Sequence, residues 1–410
     1  MDKAVYESDV LIVGGGLAGM PLALALAQGG LSVTLVDALD PATATGAGFD
    51  GRVSAIAFSS CRMLKRLDVI KHLDGQMQPI NDIVVSDGRV RGPGSSLFLH
   101  FDHTEIGDEP LGNLVENRHM RIALQKAVGE ASGIRLIAPN AVKHVAYGAQ
   151  VVATLADGSV VKARLCLAAD GRNSPTRLAA GIKTVGWDYG QTGIVTTVEH
   201  ERPHEGVAQE YFLPGGPFAI LPMVGNRASL VWTERHDAAR TILALDDDAF
   251  ADEMRARFGD YLGPCRPVGP RWSYPLSLQL ARDYVRPRLA LVGDAAHAIH
   301  PIAGQGLNLG WRDVAAAAEV IIEAARLGQD IGALDVLERY QRWRRFDNVS
   351  LSLLMDGLNR LFSNDIGPLR LARDVGLGVV NLMGPARRFF MRHAGGAVGD
   401  LPRLLRGEAI

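Results

Sequence analysis

Between Asp9 and Asp37 no residue is charged, and the apolar positions fall into groups. Ser8 to Val13 reads as a buried strand, Leu17 to Gln28 has the composition of a helix, and Ser32 to Val36 reads as a second buried strand. Six glycines interrupt the stretch, so it predicts a β-α-β unit buried on all sides, with neither a membrane span nor a cleaved signal. Asn117 to Val128 predicts a helix with Arg118 at its start, and Ile134 to Ala138 a short strand. Val151 to Ala169 alternates around Ala156-Asp157-Gly158, the pattern of a hairpin, and ends in an apolar run that delivers Asp170 and Gly171. From Gly186 to Tyr284 the texture changes. Thr192 to Val198, Glu210 to Leu213, Phe218 to Met223 and Ala228 to Thr233 are strand-like and separated by Gly or Pro turns, with one helix near Asp247 to Phe258.

The first pattern resumes at Arg288-Leu-Ala-Leu-Val, a buried strand ending at Gly293-Asp294, followed by an alanine-rich helix from Leu307 to Ala325. The middle sheet is therefore an insertion. Leu351 to Phe362, Leu369 to Met383 and Ala386 to His393 predict a helical tail. The expected fold is α/β: a Rossmann-like nucleotide-binding domain, an inserted antiparallel-sheet substrate domain and a carboxyl-terminal helical tail. Its expected segments are 1–75, 116–185 and 286–345 for the nucleotide domain, 76–115 and 186–285 for the substrate domain, and 346–410 for the tail.

Length and composition fit this plan. A chain of 410 residues is too long for one ordinary core, and 47% hydrophobic with 21% charged residues are globular values. A net charge of -2 gives no pull toward nucleic acid. Cys61, Cys166 and Cys265 are far apart, which fits a reducing compartment and excludes a disulfide framework.

The chemistry concentrates in glycine loops. Gly14, Gly16 and Gly19 form G-x-G-x-x-G between a strand and a helix, with Asp37 at the spacing that reaches a ribose hydroxyl. Gly46, Gly48 and Gly51 match the same pattern but follow no strand, so they read as a loop. Gly304 and Gly306 let backbone approach a ligand, and the amides of the helix opening near Leu307 point at negative charge such as a reduced isoalloxazine. Asn308 is placed to donate to the same edge, and Asp294 to hold the ribityl chain, with a general base as its other reading. His297 and His300 lie beside Asp294 in a tight loop with no further ligand nearby, so a metal is not expected.

Gly14-x-Gly-x-x-Gly19, Asp170-Gly171 and Gly293-Asp294, in this order, resemble the flavoprotein aromatic hydroxylases of the p-hydroxybenzoate hydroxylase class. Asp50-Gly-Arg52, Glu116-Asn-Arg118, His300-Pro-Ile-Ala-Gly304-Gln305-Gly306-Leu307-Asn308 and the tail Met383-Gly-Pro-Ala-Arg387-Arg388 narrow the resemblance to the ubiquinone-biosynthesis hydroxylases. It implies bound FAD, NAD(P)H as a transient reductant, O2, and hydroxylation of a polyprenylated phenol through a C4a-hydroperoxyflavin. It also implies cofactor contact by Gly14, Gly16, Leu17, Ala18, Gly19, Asp37, Arg52, Arg118, Asp170, Gly171, Gly293, Asp294 and Gly304 to Asn308. Asp37 stands where many flavoproteins carry Glu. No catalytic acid or base transfers from the family onto this sequence.

Phe218, Ile220 and Pro222 form the segment expected to wall the ring off from water, with a plain core strand as the equal alternative. The tail mixes Arg387, Arg388, Arg392, Arg403 and Arg406 with large apolar residues. Two roles stay open for it: peripheral contact with the inner face of the cytoplasmic membrane by an otherwise cytoplasmic enzyme, or docking on a protein complex of the ubiquinone pathway. Two other functions also stay open: a flavin reductase or dehydrogenase of isoprenoid compounds, and an FAD-binding scaffold.

Overall fold

The uncharged amino-terminal stretch forms the strand Val5–Val13, the helix Gly19–Gln28 and the strand Val33–Val36. They belong to a computed structural model that describes residues 3–410 apart from 47, 48, 50, 91–94, 365, 397 and 398. Val5–Val13 runs parallel between Val160–Ala168 and Val33–Val36, with Val10 opposite both Leu165 and Val33. Leu289–Leu291 and Ile134–Ile137 extend this parallel core at its two sides. Val10, Leu11, Ile12, Leu165, Leu167 and Leu291 are fully buried, which is why these strands read as continuous apolar runs without alternation.

The second sheet also has eight strands among the described residues. Its order is His297–Ala298, Cys265–Ala281, Thr184–His200, Arg227–Arg235, Gly216–Met223, Val207–Leu213, Asp82–Asp87 and Phe98–Asp102. It is antiparallel except for one parallel pair, Val207–Leu213 with Asp82–Asp87, because an earlier part of the chain supplies that edge. The helices His236–Leu243 and Asp247–Phe258 cover one face, closing a core of Phe218, Ile220, Leu230, Trp232, Phe250, Met254 and Phe258. A smaller antiparallel sheet joins Val53–Ala57, Gly112–Glu116 and Met77–Ile80.

One crossing positions the site. Leu289–Leu291 belongs to the first sheet, yet His297 and Ala298, a few residues on, pair with Leu280 and Gln279 of the second. The chain from Val292 to Ala296 therefore spans the gap between the sheets. The helix Gln305–Arg326 follows and is tied to the first glycine loop by Trp311, whose indole N–H donates to the Leu17 carbonyl at 2.5 Å. Trp311 is fully buried, so the two glycine loops are held at a fixed separation.

The tail departs from expectation at its start. Leu351 to Phe362 is the second half of one continuous helix, Leu334–Phe362, so the boundary placed between 345 and 346 falls inside a helix. Gly367–Leu382, Gly384–Ala394 and Arg403–Arg406 follow. The last of these packs inward: Leu404 and Leu405 are buried, and the Arg403 amide donates to Glu319 at 2.7 Å. Among the described residues no helix is long and apolar enough to cross a membrane.

Candidate active site

A cavity of about 630 Å³ lies between the two sheets. The first glycine loop (Gly16, Leu17, Ala18), the second Asp-Gly turn (Gly171, Arg172) and the loop from Gly293 to Asn308 all reach its wall. Three segments far apart in sequence thus meet at one surface. The far side is the cavity face of the second sheet, with Pro217, Ala219, Leu221 and Val231.

The glycines divide their work. A Cβ on Gly14 would lie 2.4 Å from the Ala169 carbonyl oxygen, and Gly14 has φ +103°, so this residue serves the close packing of the loop on the neighbouring strand. This is the tight-turn role of the first glycine of the motif. Gly19 is likewise internal, since its Cβ would lie 1.8 Å from the Gly14 carbonyl oxygen. Gly16 alone of the three opens onto the cavity, where a Cβ would meet nothing within 4 Å. Gly306 is similar: it lines the cavity and its Cβ would also meet nothing within 4 Å.

The helix after the second loop begins earlier than expected, at Gln305, with Gly304 in the left-handed conformation at φ +62°. Gln305, Gly306 and Leu307 line the cavity at this helix start, a position that favours an anion. Asn308 is not free to join them. Its side-chain oxygen accepts from the Ala57 amide at 2.9 Å, and its side-chain nitrogen donates to the carbonyls of Ala55 at 2.9 Å and Gly304 at 3.3 Å. Both amide hydrogens are spent, so Asn308 clamps the strand Val53–Ala57 to the loop instead of donating to a ring.

The carboxylates also separate by task. Asp37 accepts from the amides of Gly15 at 2.6 Å and Leu39 at 2.7 Å, which makes it a brace for the first loop; it does not line the cavity. Asp170 accepts from the Thr176 amide at 3.0 Å, while its other oxygen is buried without a partner among the described residues. Asp294 lines the cavity, and its carboxylate makes no hydrogen bond among the described residues. Burial raises its pKa, partly offset by His297 and Arg172. The Asp294 carboxylate, open to the cavity, with free space over Gly16 and Gly306, fits a ligand carrying hydroxyl donors and an anionic centre, as FAD does, whereas the unpartnered Asp170 oxygen lies off the cavity wall.

The two expected arginines are elsewhere. The Arg118 guanidinium is bound to Glu116 at 2.7 Å and lies over Phe49, while Arg52 is exposed over the Trp272 ring at 5.0 Å. Neither lines the cavity. Arg121, one helical turn beyond Arg118, does, together with Arg172. Asp50, the start of the Asp-Gly-Arg motif, lies outside the described residues.

Beneath the loop sits an ionic network that the sequence did not announce beyond one acid among alanines. Asp313 is 0% exposed and accepts from the Gly293 amide at 3.2 Å, His297 Nε2 at 2.5 Å, Arg344 Nε at 2.9 Å and Asn348 at 3.0 Å. Burial alone would raise its pKa, but His297, Arg344 and Asn348 outweigh that and hold the carboxyl well below the usual range. This pairing occupies Nε2 of His297. Among the described residues no group of side chains is arranged to hold a metal ion.

The expected wall is displaced by one residue. Phe218 and Ile220 are buried in the core under the two helices, and Pro222 is also absent from the cavity wall. Pro217, Ala219 and Leu221 face the cavity instead, because successive side chains on a strand point to opposite faces. Phe218→Ala is therefore expected to cost about 3–5 kcal/mol of stability. Ala219→Phe should leave the melting temperature nearly unchanged but lower turnover about 10- to 100-fold by displacing whatever occupies the cavity. Thermal melts beside steady-state rates check both; a rate loss from Phe218→Ala at full stability would reject the assignment of faces.

Comparisons with known proteins bear on the same regions. Residues 135–346 and residues 9–92 match two family models, each described as an FAD binding domain. Ubiquinone hydroxylase UbiL of Rhodospirillum rubrum is 52% identical over 406 residues, covering 98% of this chain and 93% of that protein. The 3-demethoxyubiquinol 3-hydroxylase of Escherichia coli is 35% identical over 391 residues, covering 94% and 98%. Among solved structures, p-nitrophenol 4-monooxygenase PnpA of Pseudomonas putida superposes with a TM-score of 0.80 at 18% identity, covering 97% of this chain and all of the other.

Proposed function

Because the chain belongs to the ubiquinone hydroxylase family of FAD-dependent monooxygenases, we propose that its inter-sheet cavity places a polyprenylated phenol against FAD for ring hydroxylation. The observation that carries this reading is the meeting of three loops at one cavity whose opposite wall is apolar. Bound FAD supplies the acceptance of electrons from NAD(P)H and the activation of O2. The rest is the work of the chain. Gly16, Leu17 and Ala18 present backbone at the start of a helix, where a pyrophosphate is favoured. Asp294 holds the ribityl chain. The amides of Gln305, Gly306 and Leu307 stabilise negative charge on the reduced ring. Pro217, Ala219, Leu221 and Val231 exclude water from the reacting face.

Phenol-dependent consumption of NAD(P)H and O2, with isotopically heavy oxygen entering the ring, tests the reading. NAD(P)H oxidation that reduces an isoprenoid chain without incorporating oxygen would establish the reductase alternative. Neither activity in FAD-loaded protein would leave the scaffold.

The tail meets the substrate's lipid phase through apolar contact more than through charge. Arg387 is paired with Glu105 at 2.8 Å, Arg403 lies near Glu319, and Arg406 is paired with Glu408 at 3.0 Å, so three of the five arginines have their charge offset within the chain. Arg388 and Arg392 remain exposed. Around them Leu382 is 87% exposed, with Val375, Val379, Met383, Phe389 and Phe390 also on the surface. Burying large apolar side chains in a bilayer contributes about 1.5–3 kcal/mol each. Changing Leu382 and Phe389 together to Glu should lower turnover of a long-tailed phenol about tenfold or more and leave a short soluble phenol unaffected. Vesicle sedimentation beside the two rates checks this; equal losses on both substrates would make the surface structural.

A further inference from the structure

We infer that Glu210 is the base that takes the phenolic proton of the substrate during ring hydroxylation, an assignment that rests on the hydroxylase reading above. Glu210 sits on the cavity-facing side of Val207–Leu213 together with Ala208. Its neighbours across the sheet are Ala219 on one side and Val85 on the other, neither of them polar. Ile83, Phe101, Leu111 and Leu221 complete the surrounding wall. Among the described residues the Glu210 carboxyl makes no hydrogen bond or ion pair. Glu210 is half-buried on this wall, and a carboxyl set among apolar groups without a partner lowers stability relative to an apolar residue of similar size, so its place there calls for a functional reason.

The electrostatic surroundings suit a base. Burial pushes the Glu210 carboxyl up to about 7, and no charged neighbour contributes. On the adjoining strand Asp82–Asp87, Asp82 is bonded to His100 and Asp87 to Arg373. Tyr211 is the titratable group on its own strand, and Gly216–Met223 carries none. Across the cavity stand Arg121, Arg172, Asp294 and His297. A phenol loses its proton in water only near pH 10, whereas a general base is most effective when it titrates near the working pH.

The step balances without any added reagent. The phenolic O–H bond breaks, the proton passes to a Glu210 carboxylate oxygen, and the electron pair stays on the phenol oxygen. That pair raises the electron density at the ring carbons that accept oxygen from the monooxygenase reaction. When the hydroxylated carbon then loses its hydrogen as a proton to solvent and the ring regains aromaticity, Glu210 returns its proton to the original oxygen.

The test uses the FAD-loaded enzyme with two probes: a phenol carrying a short isoprenyl chain, and a fluorinated analogue whose hydroxyl is already ionised at the assay pH. With the first probe, the wild-type rate should fall as the pH drops below about 7, where the carboxyl of Glu210 becomes protonated. Glu210→Gln should lower the rate at pH 8 by about 100-fold, abolish that pH limb and retain full FAD content. Glu210→Asp should keep the limb. With the fluorinated probe the Gln variant should come within a few-fold of wild type, because the proton has already gone. A Gln variant that keeps the wild-type rate and pH limb on the first probe overturns the assignment, as do equal losses on both probes. Failure of the wild-type enzyme to hydroxylate either phenol overturns the hydroxylase reading itself, before Glu210 is at issue.

Discussion

Gly16→Val is expected to give a folded but colourless protein. The side chain would enter the cavity where a Cβ meets nothing within 4 Å, so the chain tolerates it, but it takes the space that a pyrophosphate needs. Displacing that anion forfeits about two charge-assisted hydrogen bonds to backbone, each contributing about 1.5–3 kcal/mol, which lowers FAD affinity about 100-fold or more. Gly14→Val should behave differently. Its side chain would collide with the Ala169 carbonyl at a backbone φ of +103°, so stability falls first and FAD loss follows from it. Flavin absorbance of the purified variants, with melting temperatures of the apo proteins, separates the two. A yellow Gly16→Val protein would show that the pyrophosphate does not lie over that loop.

Asp313→Ala is expected to be the most damaging substitution for stability. It leaves the guanidinium of Arg344, 0% exposed, with the half-exposed Asp347 as its remaining carboxylate partner at 2.8 Å, and it frees the Gly293 amide and His297 as well. Breaking one side of such a buried pair costs about 3–5 kcal/mol. Asp313→Leu combined with Arg344→Met should recover much of the loss, since no charge is then stranded. The Asp313 carboxyl titrates lower in the folded chain than in the unfolded one. Its contribution is therefore complete above the unfolded value of about 3.9 and is lost as the pH falls from there through the folded value. Urea titrations of wild type and Asp313→Ala between neutral and acid pH should show the two curves converging as the pH falls. A constant gap would mean that the charge of Asp313 is not what holds the network.

The loss should also reach the cofactor. Asp313 anchors the Gly293 amide, one residue before Asp294, and His297 pairs with the second sheet through Leu280. Flavin retention should fall together with stability in Asp313→Ala, whereas Asp294→Ala should weaken retention alone, since Asp294 makes no hydrogen bond among the described residues.

The sequence by itself determined the parts whose information is local. The β-α-β unit from Val5 to Val36, the hairpin turning at Asp157-Gly158 with Gly158 at φ +85°, the helix Asp247–Phe258 and the loop before Gln305 all follow from runs of apolar residues broken by glycine. Such residues restrict their own backbone, so their effect is visible without knowing what they touch. The tertiary structure alone decided which side chains reach the cavity. In Gly216–Met223 almost every residue is apolar, so no alternation tells Phe218 from Ala219, and the face is set by pairing with Arg227–Arg235 and by the helices packed behind. Arg118 and Arg121 are both basic residues on one helix, yet the first is paired with the Glu116 carboxylate off the cavity and the second lines it. Asn308 looked like a donor to a ligand until the strand Val53–Ala57, some 250 residues earlier, occupied it. Glu210 and Asp313 gain their character from burial among groups distant in sequence, one without a partner and the other with four. Backbone conformation is written mostly in neighbouring residues, whereas the direction, solvation and charge state of a side chain depend on surfaces that exist only after the chain has closed on itself.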